Sequence, residues 1–361
     1  MNIKIHSSEL NRMMKTVSQC IDERFDKFSN IEISYDNNLL TIRGTNGTVA
    51  AEVNAPLLGG DGEVFCVDGT MFAKACAMCN GDVSISTTGN DCIIKGNGRT
   101  RLPIINADVP AYSPIKPSNP SVSVKAEDFS NAYGSVAHAI ATDQSRIHLT
   151  GVLTEVDDTG LRMTAIDGFR MAIETIDCDG DPMKIIIPGS FMKLIQSSTF
   201  SGETVTIITD GKRIEASTDG MKVTCGLLTG EFPDAGKIIP SDFKTECLIN
   251  AESLKNALKC NSVLNSKGNL VKMQISDGIM KVMSNSEKAD YEAELECDIH
   301  GDGLKIAFNQ KYLMDTINSI NTEEAVMKFN TASSPCVVTS KCEQGVAPNG
   351  LRLILPVRVA G

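Results

Sequence analysis

Hydrophobic and polar residues follow two different periods along this chain. From Ser7 onward, apolar side chains recur at the i, i+3, i+4, i+7 spacing of an amphipathic helix, at Leu10, Met13, Met14, Val17 and Ile21. Alternation with a period of two, typical of half-buried strands, follows on both sides of the turn Asp36-Asn37-Asn38. The pattern predicts a helix with a serine cap over 7–17, followed by antiparallel hairpins and, later in this part of the chain, a loop at 98–101.

The same order of elements returns twice. The first helices of the three copies are anchored at Leu10, Phe129 and Leu254, and the second helices at Phe72, Phe191 and Tyr312. These anchors recur at intervals far too long for a solenoid repeat. We therefore expect an α+β fold of three similar domains, at residues 1–120, 121–245 and 246–361, each with two helices packed on antiparallel sheets.

The segment from Leu149 to Ile173 carries the most distinctive side chains. It is predicted to form a hairpin around Asp157-Asp158-Thr159-Gly160, and it ends in Asp167-Gly168-Phe169-Arg170-Met171. The adjacent aspartates could suggest metal ligands, but a tight turn needs this residue type and explains them better.

Charge gives an ambiguous signal. The net charge of −11 argues against nucleic acid, yet lysines and arginines recur on the outward helix faces, at Arg12, Lys15, Lys74, Lys193, Lys255, Lys259 and Lys311. Domains arranged in a ring would turn these faces into a basic lining that attracts phosphates without reading bases. The alternative is that each lysine is simply solvated. The middle helix favours that alternative, because its outward face is Asn131, Gly134 and His138.

Catalytic, metal and cofactor motifs are missing from the sequence. The four histidines are scattered and have no ligand spacing, and there is no phosphate-binding or nucleophile motif. Cys76 and Cys79 form a C-x-x-C pair without a second pair, which predicts two thiols on an apolar helix. No apolar run is long enough to span a bilayer, and the N-terminal segment has no signal core, so we expect a cytosolic protein without a cofactor.

Three motifs resemble those of the bacterial DNA polymerase III β subunits, the replication sliding clamps. They are Ala165-Ile166-Asp167-Gly168-Phe169-Arg170-Met171-Ala172, Glu231-Phe232-Pro233-Asp234 and Leu355-Pro356-Val357-Arg358-Val359. The resemblance covers essentially the whole chain in register with the three copies. It implies a head-to-tail homodimer whose six domains close a ring around duplex DNA, with no catalytic activity of its own.

The resemblance also implies a hydrophobic pocket between the second and third domains. This pocket would bind short motifs of the replicative polymerase, the clamp loader and repair proteins. It would comprise Ile166, Gly168, Phe169, Arg170, Met171, Pro233, Lys237, Ile238, Leu353, Leu355, Pro356, Val357 and Arg358. Arg170 and Arg358 would anchor carbonyls or a carboxylate. Phe169 stands where the family often has histidine, and Ala235-Gly236 stand where it has bulkier, more basic residues.

Two further sets of contacts follow from the resemblance. DNA would be contacted by Arg24, Arg146 and His148, beside the helix residues Arg12, Lys15, Lys74, Lys193, Lys255 and Lys259. The dimer would form between Leu102 and Ile104 of one subunit and Val263 and Leu264 of the other.

Two other hypotheses stay open at this point. One is an enzyme whose active site is assembled from distant segments. The other is a monomeric scaffold that uses the three domains without closing a ring, which polar residues at the four dimer positions would have favoured.

Overall fold

The computed structural model describes residues 1–57, 60, 62–109, 114–197, 203–264, 269–285, 289–342 and 349–358, apart from the side chain of Leu264. The chain forms two compact units. Unit 1 comprises residues 1–130 and 178–227, and unit 2 comprises residues 131–177 and 228–361. The segment 121–245, predicted as the middle domain, contributes residues to both units.

The first repeat runs from the N-terminus to residue 103. Its elements are β1 (Asn2–His6), α1 (Ser7–Val17), α2 (Asp26–Ser29), β2 (Asn30–Asp36), β3 (Leu39–Thr45), β4 (Val49–Pro56), β5 (Glu63–Asp68), α3 (Gly69–Ala77), β6 (Asp82–Thr88), β7 (Asp91–Lys95) and β8 (Arg99–Pro103).

Among the described residues, the second repeat has the same order, except that a two-residue strand is added and no α-helix corresponds to α2. Its elements are β9 (Ser121–Lys125), α4 (Ala126–Val136), β10 (Gly151–Asp157), β11 (Gly160–Ile166), β12 (Arg170–Ile176), β13 (Asp179–Gly180), β14 (Met183–Pro188), α5 (Gly189–Ser197), β15 (Thr204–Thr209), β16 (Arg213–Thr218) and β17 (Met221–Gly226).

The third repeat completes the chain. Its elements are β18 (Thr245–Asn250), α6 (Ala251–Leu264), β19 (Leu270–Ser276), β20 (Ile279–Asn285), β21 (Asp290–Gly301), β22 (Leu304–Asn309), α7 (Gln310–Asn318), β23 (Glu324–Phe329), β24 (Cys336–Ser340) and β25 (Gly350–Ile354). The predicted α+β class and the threefold repeat of helices and strands are confirmed.

The sheets are antiparallel, and they join strands from different repeats. In unit 1 one sheet has the order β1-β6-β7-β8 and the other β13-β9-β15-β16-β17-β4-β3-β2-β5. Within unit 2 the strand order is β10-β11-β12-β25-β24-β23-β18-β21-β20-β19-β22. A strand from one repeat therefore pairs with the last strand of the next repeat in each unit, at β4–β17 and at β12–β25.

Apolar helix faces pack on these sheets as the periodicity predicts. Leu10, Met13 and Val17 of α1 are fully buried, and α1 packs on β3 and β4. In unit 2, Leu254 of α6 and Leu313 of α7 join one core cluster with residues from the surrounding strands.

Local predictions were right about the turns and wrong at two places. Asn37 and Asn38 have positive φ values of 50° and 63°, as a two-residue hairpin turn requires. The loop predicted at 98–101 is instead the start of β8, whose pairing with β7 overrides the polar, glycine-containing sequence. The cap of α1 is His6 and not a serine, because its Nδ1 accepts a hydrogen bond from the Ser8 amide at 3.4 Å.

The thiols of the C-x-x-C pair are both buried. Burial raises the pKa of the Cys76 thiol well above its usual value, so it stays protonated and unreactive at neutral pH. No helix among the described residues is long and apolar enough to cross a membrane.

Candidate functional site

A tight turn in unit 2 presents the residues between β11 and β12. The Asp167 carboxylate accepts hydrogen bonds from the amides of Phe169 at 2.8 Å and Arg170 at 3.0 Å. Gly168 has φ +95°, which side chains other than glycine rarely adopt. These bonds fix the turn and leave the Phe169 ring 57% exposed.

Arg170 is bound inside the protein. Its Nε donates to Asp167 Oδ2 at 2.9 Å and its Nη1 to Asp315 Oδ2 at 2.8 Å. The guanidinium carbon lies 4.4 Å from the centre of the Tyr312 ring, and Arg170 is only 7% exposed. Internal carboxylates use two of the five N–H donors of the guanidinium, and the role of Arg170 as an anchor for a partner's carbonyl or carboxylate stays a prediction.

Asp315 is charged because of this network. Burial favours its neutral acid, but hydrogen bonds from Arg170 and Lys311 outweigh burial, and the pKa of Asp315 lies below its usual value. Lys311 Nζ lies 3.1 Å from the same carboxylate. The Arg170 side chain consequently ties the β11–β12 turn to helix α7.

The C-terminal strand lies directly beside the turn. β25 pairs antiparallel with β12, so that Met171 stands opposite Leu353. The chain continues along the turn, where the amide of Leu355 donates to the Phe169 carbonyl at 2.9 Å. Two motifs that are far apart in sequence are thus adjacent in unit 2.

A second hydrophobic cluster, separate from the helix-backed core, joins these strands to the loop 232–239. Its buried members are Ile166, Met171, Val337 and Leu353, and the half-buried residues packed against it are Ile173, Phe232, Ala235, Ile238, Ile239, Phe243 and Leu351. We call it the apolar cluster. It contains the predicted pocket residues Ile166, Met171, Ile238 and Leu353.

The surface around the apolar cluster is partly apolar and partly basic. Leu355 is 37% and Val357 39% exposed, and the Phe169 ring lies 5.8 Å from the Tyr312 ring. Lys237 and Arg358 are exposed, while Pro233 and Pro356 are half-buried. An open pocket of about 430 Å3 borders the cluster, with Ile239, Phe243, Val337 and Leu351 among its lining residues.

His138 lies close to Arg170 and to Arg352, which is on β25. Burial, followed by the charges of Arg170 and Arg352, lowers the pKa of His138 to about 4. The expectation that His138 faces outward with Asn131 and Gly134 is wrong, because α4 ends at Val136 and His138 belongs to a following 3-10 turn. Helical periodicity no longer predicts the direction of its side chain.

The candidate DNA contacts in unit 1 differ in whether their side chains form ion pairs within the protein. Lys15, Lys74 and Lys193 are exposed on α1, α3 and α5. Arg12 is ion-paired with Glu9 at 2.6 Å, and Arg24 with Asp22 at 2.6 Å, although the Arg24 side chain is 78% exposed. Arg24 and Lys74 line the same shallow depression.

The candidate DNA contacts in unit 2 lie partly beside the turn. Arg146 Nη2 is 3.4 Å from the Asp167 carbonyl, and the half-buried His148 packs against Gly230. Lys255 donates from its Nζ to the Ile320 carbonyl at 3.3 Å, whereas Lys259 is exposed.

The candidate dimer residues are unequal in exposure. Leu102 on the edge strand β8 is only 9% exposed, and Ile104 is half-buried. Val263, near the end of α6, is 76% exposed. The side chain of Leu264 and the whole of Val359, Ala360 and Gly361 lie outside the described residues.

Sequence reasoning missed three residues that pack against the site residues or bond to them. Val337, Tyr312 and Asp315 come from β24 and α7, and none of them stands in a recognisable motif. An aromatic and an acid three residues apart on one predicted helix face were the only available signal.

Two family models and several known proteins match this chain. Residues 123–234 match the family model described as DNA polymerase III beta subunit, central domain, and residues 236–358 match the model described as its C-terminal domain. The beta sliding clamp of Staphylococcus epidermidis is 24% identical, covering 97% of this chain and 96% of that protein. That of Staphylococcus aureus is 23% identical with the same coverage.

Solved structures of this kind share the fold. The DNA polymerase III beta subunit of Thermotoga maritima has a TM-score of 0.90 at 24% identity, covering 99% of this chain and 100% of that one. The DNA polymerase sliding clamp of Bacillus subtilis has a TM-score of 0.91 at 22% identity, with both chains fully covered. The matched family models together span more than half of the chain, and the chain belongs to the DNA polymerase III beta subunit family.

Proposed function

We propose that this chain is a DNA sliding clamp, a non-catalytic subunit that tethers the replicative polymerase to duplex DNA. Two copies would join head to tail through Leu102 and Ile104 of one and Val263 and Leu264 of the other, so that three domains from each, at 1–120, 121–245 and 246–361, close a ring. The protein would act in the cytoplasm, at the nucleoid during replication.

Retention on DNA would come from encirclement. Exposed cations on α1, α3, α5 and α6 would contact phosphates without reading sequence. Because a closed ring holds DNA topologically, each of these contacts can be weak. The ion pairs of Arg12 and Arg24 are compatible with this, since a phosphate needs to displace only a surface carboxylate.

Partner recognition is assigned to the surface above the apolar cluster. The observation that carries this assignment is the meeting of the 166–171 turn, the 232–239 loop and the 351–358 tail around one cluster. Exposed Phe169, Leu355 and Val357 offer apolar area to a short extended motif. Lys237 and Arg358 are the exposed cations that can bind its polar groups.

The test is the affinity of a fluorescent clamp-binding-motif peptide for the variant Phe169→Ala with Leu355→Ala. Both side chains are exposed, so the fold should persist while the affinity falls by at least about tenfold, the size expected when central apolar contacts are truncated. Arg170→Ala is a poorer probe, because it would leave Asp167 and Asp315 without their buried partner.

The matched control is Val64→Ala, another exposed apolar residue, on β5 of unit 1. Its peptide affinity should equal that of the unaltered chain. Unchanged affinity in the double variant, or an equal loss in the control, would remove the pocket from the proposal.

A further inference from the structure

Helix α7 is anchored in the core of unit 2. Leu313 and Ile317 on its inner face are fully buried and belong to the helix-backed core cluster. At its start, the Asn309 side chain accepts a hydrogen bond from the Tyr312 amide at 3.2 Å, which satisfies an otherwise unpaired donor of the first turn. The other side chains of α7 therefore project from a backbone that is fixed in place.

Two side chains of α7 contact the turn between β11 and β12. Tyr312 and Asp315 are three residues apart, so they lie on one face of the helix. Asp315 Oδ2 accepts a hydrogen bond from Arg170 Nη1 at 2.8 Å, and the guanidinium carbon lies 4.4 Å from the centre of the Tyr312 ring. Both contacts reach Arg170, the first residue of β12.

Tyr312 also contacts the exposed side chain of the same turn. The centres of the Phe169 and Tyr312 rings are 5.8 Å apart, and the ring planes are inclined by 32°, which is within the range of favourable aromatic pairs. Phe169 is 57% exposed. A side chain this exposed gains rotamer freedom when such a contact is lost.

The backbone of the turn is held by other bonds. The Asp167 carboxylate accepts from the amides of Phe169 and Arg170, and the Leu355 amide donates to the Phe169 carbonyl at 2.9 Å. Loss of a contact with α7 should therefore leave the turn folded and change the directions of its side chains.

The contact between Asp315 and Arg170 is charge-assisted. Burial raises the pKa of Asp315, but hydrogen bonds from Arg170 and Lys311 lower it further, so that the pKa lies below its usual value and the carboxylate is ionised at neutral pH. Asp167 binds the same guanidinium through Nε at 2.9 Å. Because a guanidinium is planar and rigid, two carboxylates bound at different nitrogens fix its plane and the directions of its remaining donors.

We propose that Asp315 and Tyr312 are positioning residues of the partner site, which hold Arg170 and Phe169 in the arrangement that a partner's motif binds. This rests on the proposed function of the 166–171 turn and adds α7 to the site. Neither residue needs to touch the motif. When the binding arrangement is populated for only a fraction of the time, the apparent affinity falls by that fraction. The two contacts from α7 keep the fraction high.

The kinetics of peptide binding test this role. Stopped-flow fluorescence compares the full-length chain with its Asp315→Asn variant, using the fluorescent clamp-binding-motif peptide. The association rate constant should fall about fivefold, the lower end of typical coupling between sites, whereas the dissociation rate constant should stay within about twofold because the bound arrangement is unchanged. Phe169→Ala removes a direct contact and should instead raise the dissociation rate constant.

Two further variants separate positioning from a general effect of charge. Asp315→Glu keeps the carboxylate, and its association rate constant should lie between those of the unaltered chain and Asp315→Asn. The matched control is Asp157→Asn, the same substitution at another aspartate of unit 2, which lies 3.4 Å from Arg162. Both of its rate constants should equal those of the unaltered chain.

A second measurement needs no peptide. Fluorine NMR of the chain grown with 4-fluorophenylalanine identifies the Phe169 signal as the one missing from the Phe169→Ala spectrum. In Asp315→Asn this signal should move toward that of the free amino acid, because the ring spends less time against Tyr312. In Asp157→Asn it should stay in place.

Several results would overturn the proposal. An unchanged association rate constant in Asp315→Asn would do so, and a rise in dissociation alone would identify Asp315 as a direct contact of the motif. Intact binding in Phe169→Ala with Leu355→Ala would remove the partner surface and the positioning role together. Should Asp315→Asn melt below the working temperature, Tyr312→Leu, which removes a ring and no charge, gives the same kinetic test.

Discussion

The two strand junctions, β12–β25 in unit 2 and β4–β17 in unit 1, have the same antiparallel backbone arrangement but different side chains. The first packs Met171 against Leu353 over an apolar cluster, and the second places Glu52 beside Lys222 above a charged cavity. Repeated strands fix where a concave surface forms, because register places the same positions side by side. The side chains at those positions decide what each surface can bind.

The contrast extends to what each junction contributes to stability. Apolar burial is favourable in itself, whereas the charged junction must compensate each buried polar group. Unit 2 should therefore be stabilised by its junction more than unit 1 is by its own.

The largest expected effect comes from equivalent substitutions on β25 and β17. Leu353→Ala deletes a side chain that is 2% exposed and should lower the free energy of unfolding by about 2–5 kcal/mol. Thr224→Val removes a hydroxyl without a partner among the described residues and should be neutral or stabilising by about 1 kcal/mol. Urea denaturation of both variants measures the difference. Equal destabilisation would refute the contrast.

Acid should weaken unit 2 in particular. The pKa of His138 is lowered to about 4, first by burial and then by the charges of Arg170 and Arg352. The folded state therefore binds this proton less readily than the unfolded state, so the stabilisation is complete above pH 6.5 and falls as pH drops toward 4. A shift of this size corresponds to a loss of up to about 3 kcal/mol.

Thermal melting between pH 7 and 4 checks this, with His138→Gln as the comparison. The variant should lose less stability over that range, because its amide does not titrate. Below pH 4 both should weaken together as Asp315, whose pKa is lowered despite its burial by bonds from Arg170 and Lys311, takes up its proton. Parallel curves for both proteins between pH 6.5 and 4 would contradict the assignment.

The smallest expected effect is that of salt concentration on peptide binding at the unit 2 surface. Raising salt from 0.05 to 0.5 M should change the affinity of the motif peptide for the unit 2 surface by no more than about twofold, since apolar burial is not screened. A loss of affinity of tenfold or more would contradict recognition through apolar contacts.

Regular elements could be predicted from the sequence because they depend on local periodicity. The helix predicted over 7–17 matches α1, and the hairpin around Asp157–Gly160 matches β10 and β11. The strand at Arg99 could not be predicted in the same way, since its pairing partner, not its composition, determines it.

The sequence could predict which segments form the candidate site, but not which side chains bond to one another there. The resemblance identified the three segments that meet at the apolar cluster. It did not indicate that Arg170 is ion-paired with Asp167 and Asp315. Asp315 lies 145 residues away from Arg170, and no local pattern connects them.

Absolute molar mass from light scattering, measured together with small-angle scattering, tests the clamp proposal most directly. The account predicts a mass of twice 38.7 kDa and a hollow, ring-like scattering profile. Val263→Glu, which places a charge at the exposed end of α6, should shift the mass toward that of one chain. A compact monomer at every accessible concentration would contradict encirclement and favour the scaffold hypothesis.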